Sequence, residues 1–198
     1  MNICVLASTS GTDLQAIMDE LKAGKMPGIE LKFVLVNKVD CGAAERARKA
    51  DFPVYFVDPR NERGGLKDRE TYDDEIHEIC SKNEVNLIVL VGWMRILSKK
   101  FVKKWQKKII NVHPSLLPKY PGMDLNVHAE VLQQGEKESG MTIHYVDEGV
   151  DSGEIILQKR VEIEAGETAE SLKEKVQALE KKWYPEVIRR MPAHWVVG

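Results

Sequence analysis

Ile3-Cys4-Val5-Leu6-Ala7-Ser8-Thr9-Ser10-Gly11-Thr12-Asp13-Leu14-Gln15-Ala16-Ile17-Met18 sets the pattern that the chain repeats. Residues 3–7 are a short unbroken apolar run, as expected of a strand buried on both faces in a parallel sheet. Small polar residues follow. Leu14, Ile17, Met18 and Leu21 then recur at spacings of three and four, the buried stripe of a helix. The same unit returns downstream: residues 31–36 read as a strand and 43–50 as a helix, then 54–57 as a strand and 68–81 as a helix, and residues 87–91 as a fourth buried strand. Strands alternating with helices predict an α/β fold with a doubly wound, mostly parallel sheet, which binds ligands beyond the carboxyl ends of its strands. Two segments fall there, the loop of residues 8–13 and the segment of residues 92–97.

The second half of the chain departs from that alternation. Six lysines crowd residues 98–108, but Phe101 and Trp105 stand four apart with Val102 beside them, so the lysines are expected on the solvated face of a short amphipathic helix. Residues 126–133 read as a helix ended by Gly135. Residues 141–146 and 154–163 read as two strands about a polar turn with Gly149 and Gly153, a β-hairpin-like C-terminal extension. Leu172, Val176 and Leu179 then share one face of a long terminal helix, which Pro185 is expected to interrupt.

The chain has 198 residues, 30% charged and 43% hydrophobic, with a formal charge of −2. That length suits one domain spanning residues 1–198 with its own core. The near-neutral charge gives no reason to expect nucleic acid or an anionic membrane as a partner. Cys4, Cys41 and Cys80 have neither metal-ligand nor redox spacing and read as reduced thiols. With no basic leader and no membrane-length apolar run, the expected location is cytoplasmic.

Chemistry concentrates in Ile109-Ile110-Asn111-Val112-His113-Pro114-Ser115-Leu116-Leu117-Pro118-Lys119-Tyr120-Pro121-Gly122. In an extended chain, Asn111 and His113 project to one side and can converge on one reacting atom, while the prolines end the strand and stiffen its exit. An imidazole moves protons near neutral pH, an amide donates to an oxyanion, and a carboxylate such as Asp151 can orient the ring and raise its pKa. Those three groups suit acyl transfer. Ser115 lacks a nucleophile elbow and no cysteine is placed for attack, so direct attack by a bound substrate is expected. His77 and His194 read as structural or exposed, and His128 and His144 make no ligand spacing with His113, so no metal is expected. The loop of residues 8–13 opens a helix and could hold a phosphate on unpaired N–H groups. It matches neither dinucleotide nor triphosphate loops. The competing reading is that Ser10 or Thr12 caps the helix and Asp13 complements its dipole.

Asn111-x-His113-x-Ser115-Leu116-Leu117-Pro118 resembles the signature of the folate-dependent formyltransferases, and Lys119-Tyr120-Pro121-Gly122 is similar to the branch that formylates glycinamide ribonucleotide. Gly11-Thr12-Asp13-Leu14-Gln15-Ala16-Ile17, Gly92-Trp93-Met94-Arg95-Ile96-Leu97 and Val150-Asp151-Ser152-Gly153-Glu154-Ile155-Ile156 fall in the family's order and spacing, so the resemblance covers nearly the whole chain. It implies a Rossmann-like formyltransferase fold and transfer of a formyl group from the cosubstrate 10-formyltetrahydrofolate to a small-molecule amine in purine synthesis, without metal, by a monomer or homodimer.

Carried over by position, Asn111 and His113 would stabilise the oxyanion, and Asp151 would hold the histidine charge and a proton-relaying water. Gly11, Thr12 and Asp13 would hold the ribonucleotide phosphate, and Glu180 the ribose hydroxyls. Met94, Arg95, Ile96 and Leu97, with Val146, Glu148 and Val150, would line the folate pocket, and Arg69 and Arg95 would meet the folate glutamate. The competing reading makes Arg69 and Glu180 merely exposed helix residues. Two departures stand out. Relatives usually carry a glycine-rich, asparagine-containing phosphate loop, and Asp13 as a carboxylate would repel a dianion by about 1 kcal/mol or more at an effective dielectric of about 20. The segment Met123-Asp124-Leu125-Asn126-Val127-His128 is longer than usual. A formyltransferase acting on another amine and a formyltetrahydrofolate hydrolase are the alternatives.

Overall fold

A computed structural model describes residues 1–122 and 126–191. His194 and Met123, Asp124 and Leu125 of the longer segment lie outside the described residues. The elements run β1 (Asn2–Ala7), α1 (Thr12–Lys22), β2 (Glu30–Val36), α2 (Gly42–Lys49), β3 (Val54–Phe56), α3 (Arg69–Lys82), β4 (Leu87–Val91), α4 (Lys99–Lys104), β5 (Ile109–His113), α5 (Val127–Gln133), β6 (Glu138–Tyr145), β7 (Ile155–Glu162) and α6 (Ala169–Arg190). They build one seven-stranded sheet in the order β3-β2-β1-β4-β5-β6-β7. The strands β1 to β5 pair in parallel, as the strand-helix alternation predicts. β6 and β7 pair antiparallel and extend the same sheet, so the hairpin is continuous with it.

The period-two alternation of β1 divides the core between two layers. Ile3, Val5 and Ala7 pack with Leu14, Ile17, Leu172, Val176 and Tyr184 beneath α1 and α6. Cys4 and Leu6 pack with Tyr72, Ile76, Phe101 and Trp105 beneath α3 and α4. Chain order thus reverses between β1 and β4: α1 leaves β1 toward one face, and the chain after β4 leads to α4 on the other. That divergence opens a crevice at the strand ends, where doubly wound folds bind ligands.

The lysine run follows its expected reading, with Phe101 and Trp105 buried and Lys100 and Lys104 exposed against Asp74. Pro185 corrects an expectation, because α6 continues through it to Arg190. Proline removes one helical N–H, but Tyr184, Pro185, Val187 and Ile188 are all buried, and this packing outweighs the missing bond. Cys4, Cys41 and Cys80 are free and buried.

Candidate active site

β5 delivers its last residues into the crevice. Antiparallel pairing with β6 sets Asn111 directly opposite His144 and His113 opposite Thr142. Ile110 and Val112, pointing the other way, join the layer beneath α6. The sequence after Pro114 folds back so that the Tyr120 carbonyl lies 2.7 Å from His113 Nε2. Tyr120 has a φ of 55°, a left-handed conformation uncommon outside glycine. Nε2–H donates to that carbonyl, so Nδ1 is the nitrogen left for chemistry. Nδ1 lies 3.4 Å from Asp151 Oδ2.

Asp151 closes the cluster from the turn between β6 and β7. It too is left-handed, with a φ of 51°, and its Oδ2 accepts from the Gly122 N–H at 2.8 Å. Its Oδ1 lies 3.4 Å from both Asn111 Nδ2 and His144 Nε2. Asn111 Nδ2 is also 3.2 Å from His144 Nε2, and His144 Nδ1 is 2.8 Å from the Tyr145 carbonyl. His144 Nε2 thus faces both the Asn111 amide and the Asp151 carboxylate. The three expected catalytic residues are therefore brought together, along with a fourth, His144.

The electrostatics fit proton transfer. Burial lowers the His113 pKa below its ordinary 6.5, against the raising effects of the Asp151 carboxylate and the Tyr120 carbonyl. Burial also pushes Asp151 up, but hydrogen bonds from His144 and Gly122 and the attraction of His113 outweigh it and hold the group below the usual carboxylate value. The resting pair is a neutral imidazole beside an ionised carboxylate.

A cavity of about 300 Å³ runs past this cluster. Residues 9–13 line it together with Lys173, Gln177 and Glu180 of α6. The N-cap of α1 is Gly11, at a φ of 70° and without a side-chain cap, so neither Ser10 nor Thr12 caps the helix as one reading expected. A Cβ at Gly11 would come within 2.7 Å of Ala43 Cα, so α2 presses the loop against the helix start. Glu180 is 6% exposed, which removes the reading of it as an exposed helix residue.

Met94, Arg95, Ile96, Leu97, Val146 and Val150 also line it. The Met94 N–H donates to Ser8 Oγ at 3.1 Å, tying the two strand-end loops together. Gly92 turns between them at a φ of 54°, where a Cβ would strike Thr9 Oγ1. The Arg95 guanidinium lies 4.2 Å from the Tyr72 ring centre. Two expected residues stand outside this lining. Glu148 reaches toward Lys103 at 3.5 Å, and Arg69 is exposed at the start of α3, where it and Arg95 both act on Asp73.

Residue reasoning missed His144, His128, Lys173 and Gln177 as lining groups. His144 had a partial signal, since antiparallel pairing of β6 on β5 puts a β6 residue beside Asn111. His128 and the two α6 residues had none, because their approach depends on how whole helices pack.

The crevice and its amide-imidazole-carboxylate cluster define an acyl-transfer class, and comparison with known proteins agrees: residues 1–188 match the formyl transferase family model, and the chain belongs to that family. Within it, similarity runs to phosphoribosylglycinamide formyltransferase. The Escherichia coli (strain K12) enzyme of that name is 41% identical over 95% of this chain and 85% of its own length. A Coxiella burnetii structure of the enzyme, in complex with CHES, superposes with a TM-score of 0.89 at 39% identity, covering 98% of this chain and 88% of the other. The trifunctional purine biosynthetic protein adenosine-3 of Chironomus tentans is 40% identical over 97% of this chain, which spans only 14% of that protein.

Proposed function

We propose that the chain transfers the formyl group of 10-formyltetrahydrofolate to the primary amine of glycinamide ribonucleotide, a step of purine synthesis. The observation that carries this reading is that one cavity is lined by the Asn111, His113 and Asp151 cluster, by a helix start with an acidic α6 residue, and by an apolar set with Arg95, the last two of which the reading assigns to the acceptor and the donor. The helix start suits a phosphate and Glu180 the ribose hydroxyls. The apolar set suits a pterin, with Arg95 toward the glutamate of the folate. Arg69 and Glu148 would assist from outside the lining.

In this mechanism the acceptor amine attacks the formyl carbon, the C=O electrons move to oxygen, and the amine proton passes to His113 Nδ1, directly or through a water held by Asp151. The imidazolium so formed faces the Asp151 carboxylate. Its charge and the Asn111 amide stabilise the oxyanion. Collapse re-forms the C=O bond and breaks the bond to the folate nitrogen, which takes a proton and leaves as tetrahydrofolate. His113 is returned to the neutral form in the process. The imidazole, amide and carboxylate supply the charge stabilisation without a metal. The protein acts on small molecules, as a cytoplasmic monomer or homodimer.

The test is to incubate purified protein with 10-formyltetrahydrofolate and to follow tetrahydrofolate release with and without glycinamide ribonucleotide. Release is expected only with the amine. Amine-independent release would indicate a hydrolase, and no release with this amine would overturn the reading.

A further inference from the structure

Two buried acidic side chains line the cavity beside the start of α1. Asp13 sits in the first turn of α1 and is 7% exposed, and its Oδ1 has no hydrogen-bond partner among the described residues. Glu180 lies on α6, which packs against α1, and is 6% exposed. Both line the cavity. The sequence alone suggests a simple repulsion between an ionised Asp13 and a phosphate, but two buried carboxyls that line one cavity and repel each other change that picture, because like charges taken out of water do not both ionise readily.

The other charged groups around the pair do not supply a full counter-charge. From α6, Lys181 and Lys173 attract the carboxylates without a salt bridge to either among the described residues, and the Tyr184 hydroxyl is committed to the Leu90 and Ile110 carbonyls. From α5, His128 is buried, and its pKa is lowered to about 4, so it is neutral. From α2, Arg46 is spent on the Ser10 carbonyl and Gln15. Burial accordingly raises Asp13 to about 6 despite Lys181, and raises Glu180 well above its ordinary value, with Asp13 adding to the effect.

We infer that the Asp13 and Glu180 pair is a proton-accepting part of the acceptor subsite: it holds one proton when empty and takes a second from solvent when a phosphorylated acceptor binds, so that Asp13 meets the dianion as a neutral carboxyl. A neutral carboxyl donates an O–H where an ionised one only repels, as a side-chain amide would donate an N–H. Acceptor binding is then coupled to proton uptake, while donor binding is not. The inference rests on the acceptor reading proposed above.

Calorimetric titration of glycinamide ribonucleotide into the intact protein, in two buffers of different ionisation heat at pH 7.5, counts the protons taken up. Wild type is expected to take up about one proton more than Asp13→Asn, a comparison that cancels the ligand's own ionisations. Between pH 7 and 8.5 its affinity should fall by up to about tenfold per unit relative to the variant. Asp13→Ala, which offers neither proton nor amide, should also show no extra uptake but bind more weakly than Asp13→Asn. Equal uptake by wild type and both variants overturns the inference. Absence of ribonucleotide binding to all three, while 10-formyltetrahydrofolate still binds, overturns the acceptor reading itself and the inference with it.

Discussion

His113 is held by contacts that leave it one free task. Its Nε2 is spent on the Tyr120 carbonyl and its Nδ1 faces Asp151, so the ring can accept a proton at only one position. His113→Ala should therefore lower kcat by about 10²- to 10⁴-fold, the usual worth of a positioned acid-base group, measured with both substrates saturating. The ring should also titrate below 6.5 when followed by NMR, because burial favours the neutral form. Asp151→Asn removes the charge that raises His113, so the midpoint should move lower still. A midpoint that stays put or rises would exclude Asp151 as the group that stabilises the imidazolium. Asn111 and His113 were legible because extended-chain geometry alone puts residues i and i+2 on one side. His144 was less so, since its place depends on strand pairing with Asn111, 33 positions earlier in the chain. The left-handed turn at Tyr120 left no trace in residue type, since tyrosine does not favour that conformation.

Among the elements, α6 binds the site to the sheet. It starts with a capping box in which Thr168 and Ser171 satisfy each other's backbone N–H groups. Near its other end, the fully buried Tyr184 hydroxyl sits 2.9 Å from the Leu90 carbonyl of β4 and 3.1 Å from the Ile110 carbonyl of β5. These contacts flank Asn111 and hold the two strand ends in register beneath α6. Tyr184→Phe keeps the ring but removes the one O–H that the two carbonyls share, and should cost about 1–2 kcal/mol in urea unfolding. Thr168→Ala loses the cap and should cost about 1 kcal/mol, with kcat unaffected because the cap lies outside the cavity lining. The elements themselves were largely legible, since buried strands and amphipathic helices carry distinct periods. Pro185 misled because local propensity was weighed without the packing of Tyr184, Val187 and Ile188. That packing comes from tertiary contacts that a window of sequence does not contain.

For the molecule as a whole, the crevice joins two halves of the core. Its helix-start lining belongs to the layer of α1 and α6, and its apolar lining reaches the layer of α3 and α4 through Leu97 and Val102. The strand order that creates this division was only partly readable: alternation implies a doubly wound sheet, but nothing local specifies that β1 lies beside β4. Because ligands on either lining contact residues fixed only in the folded chain, each should stabilise the protein by mass action. At one hundred times its dissociation constant, a ligand adds about 2.7 kcal/mol. For a chain of this size that raises Tm by about 5–10 °C. Glycinamide ribonucleotide and a non-reactive folate analogue, added separately in a melting experiment, should each give such a shift. Together they should give about the sum, since in the proposed reading each ligand contacts its own set of residues. A single shift that the second ligand does not increase would mean that both compete for one subsite. In that case the two-subsite reading of the cavity would be wrong, even if the cluster that lines it proved catalytic.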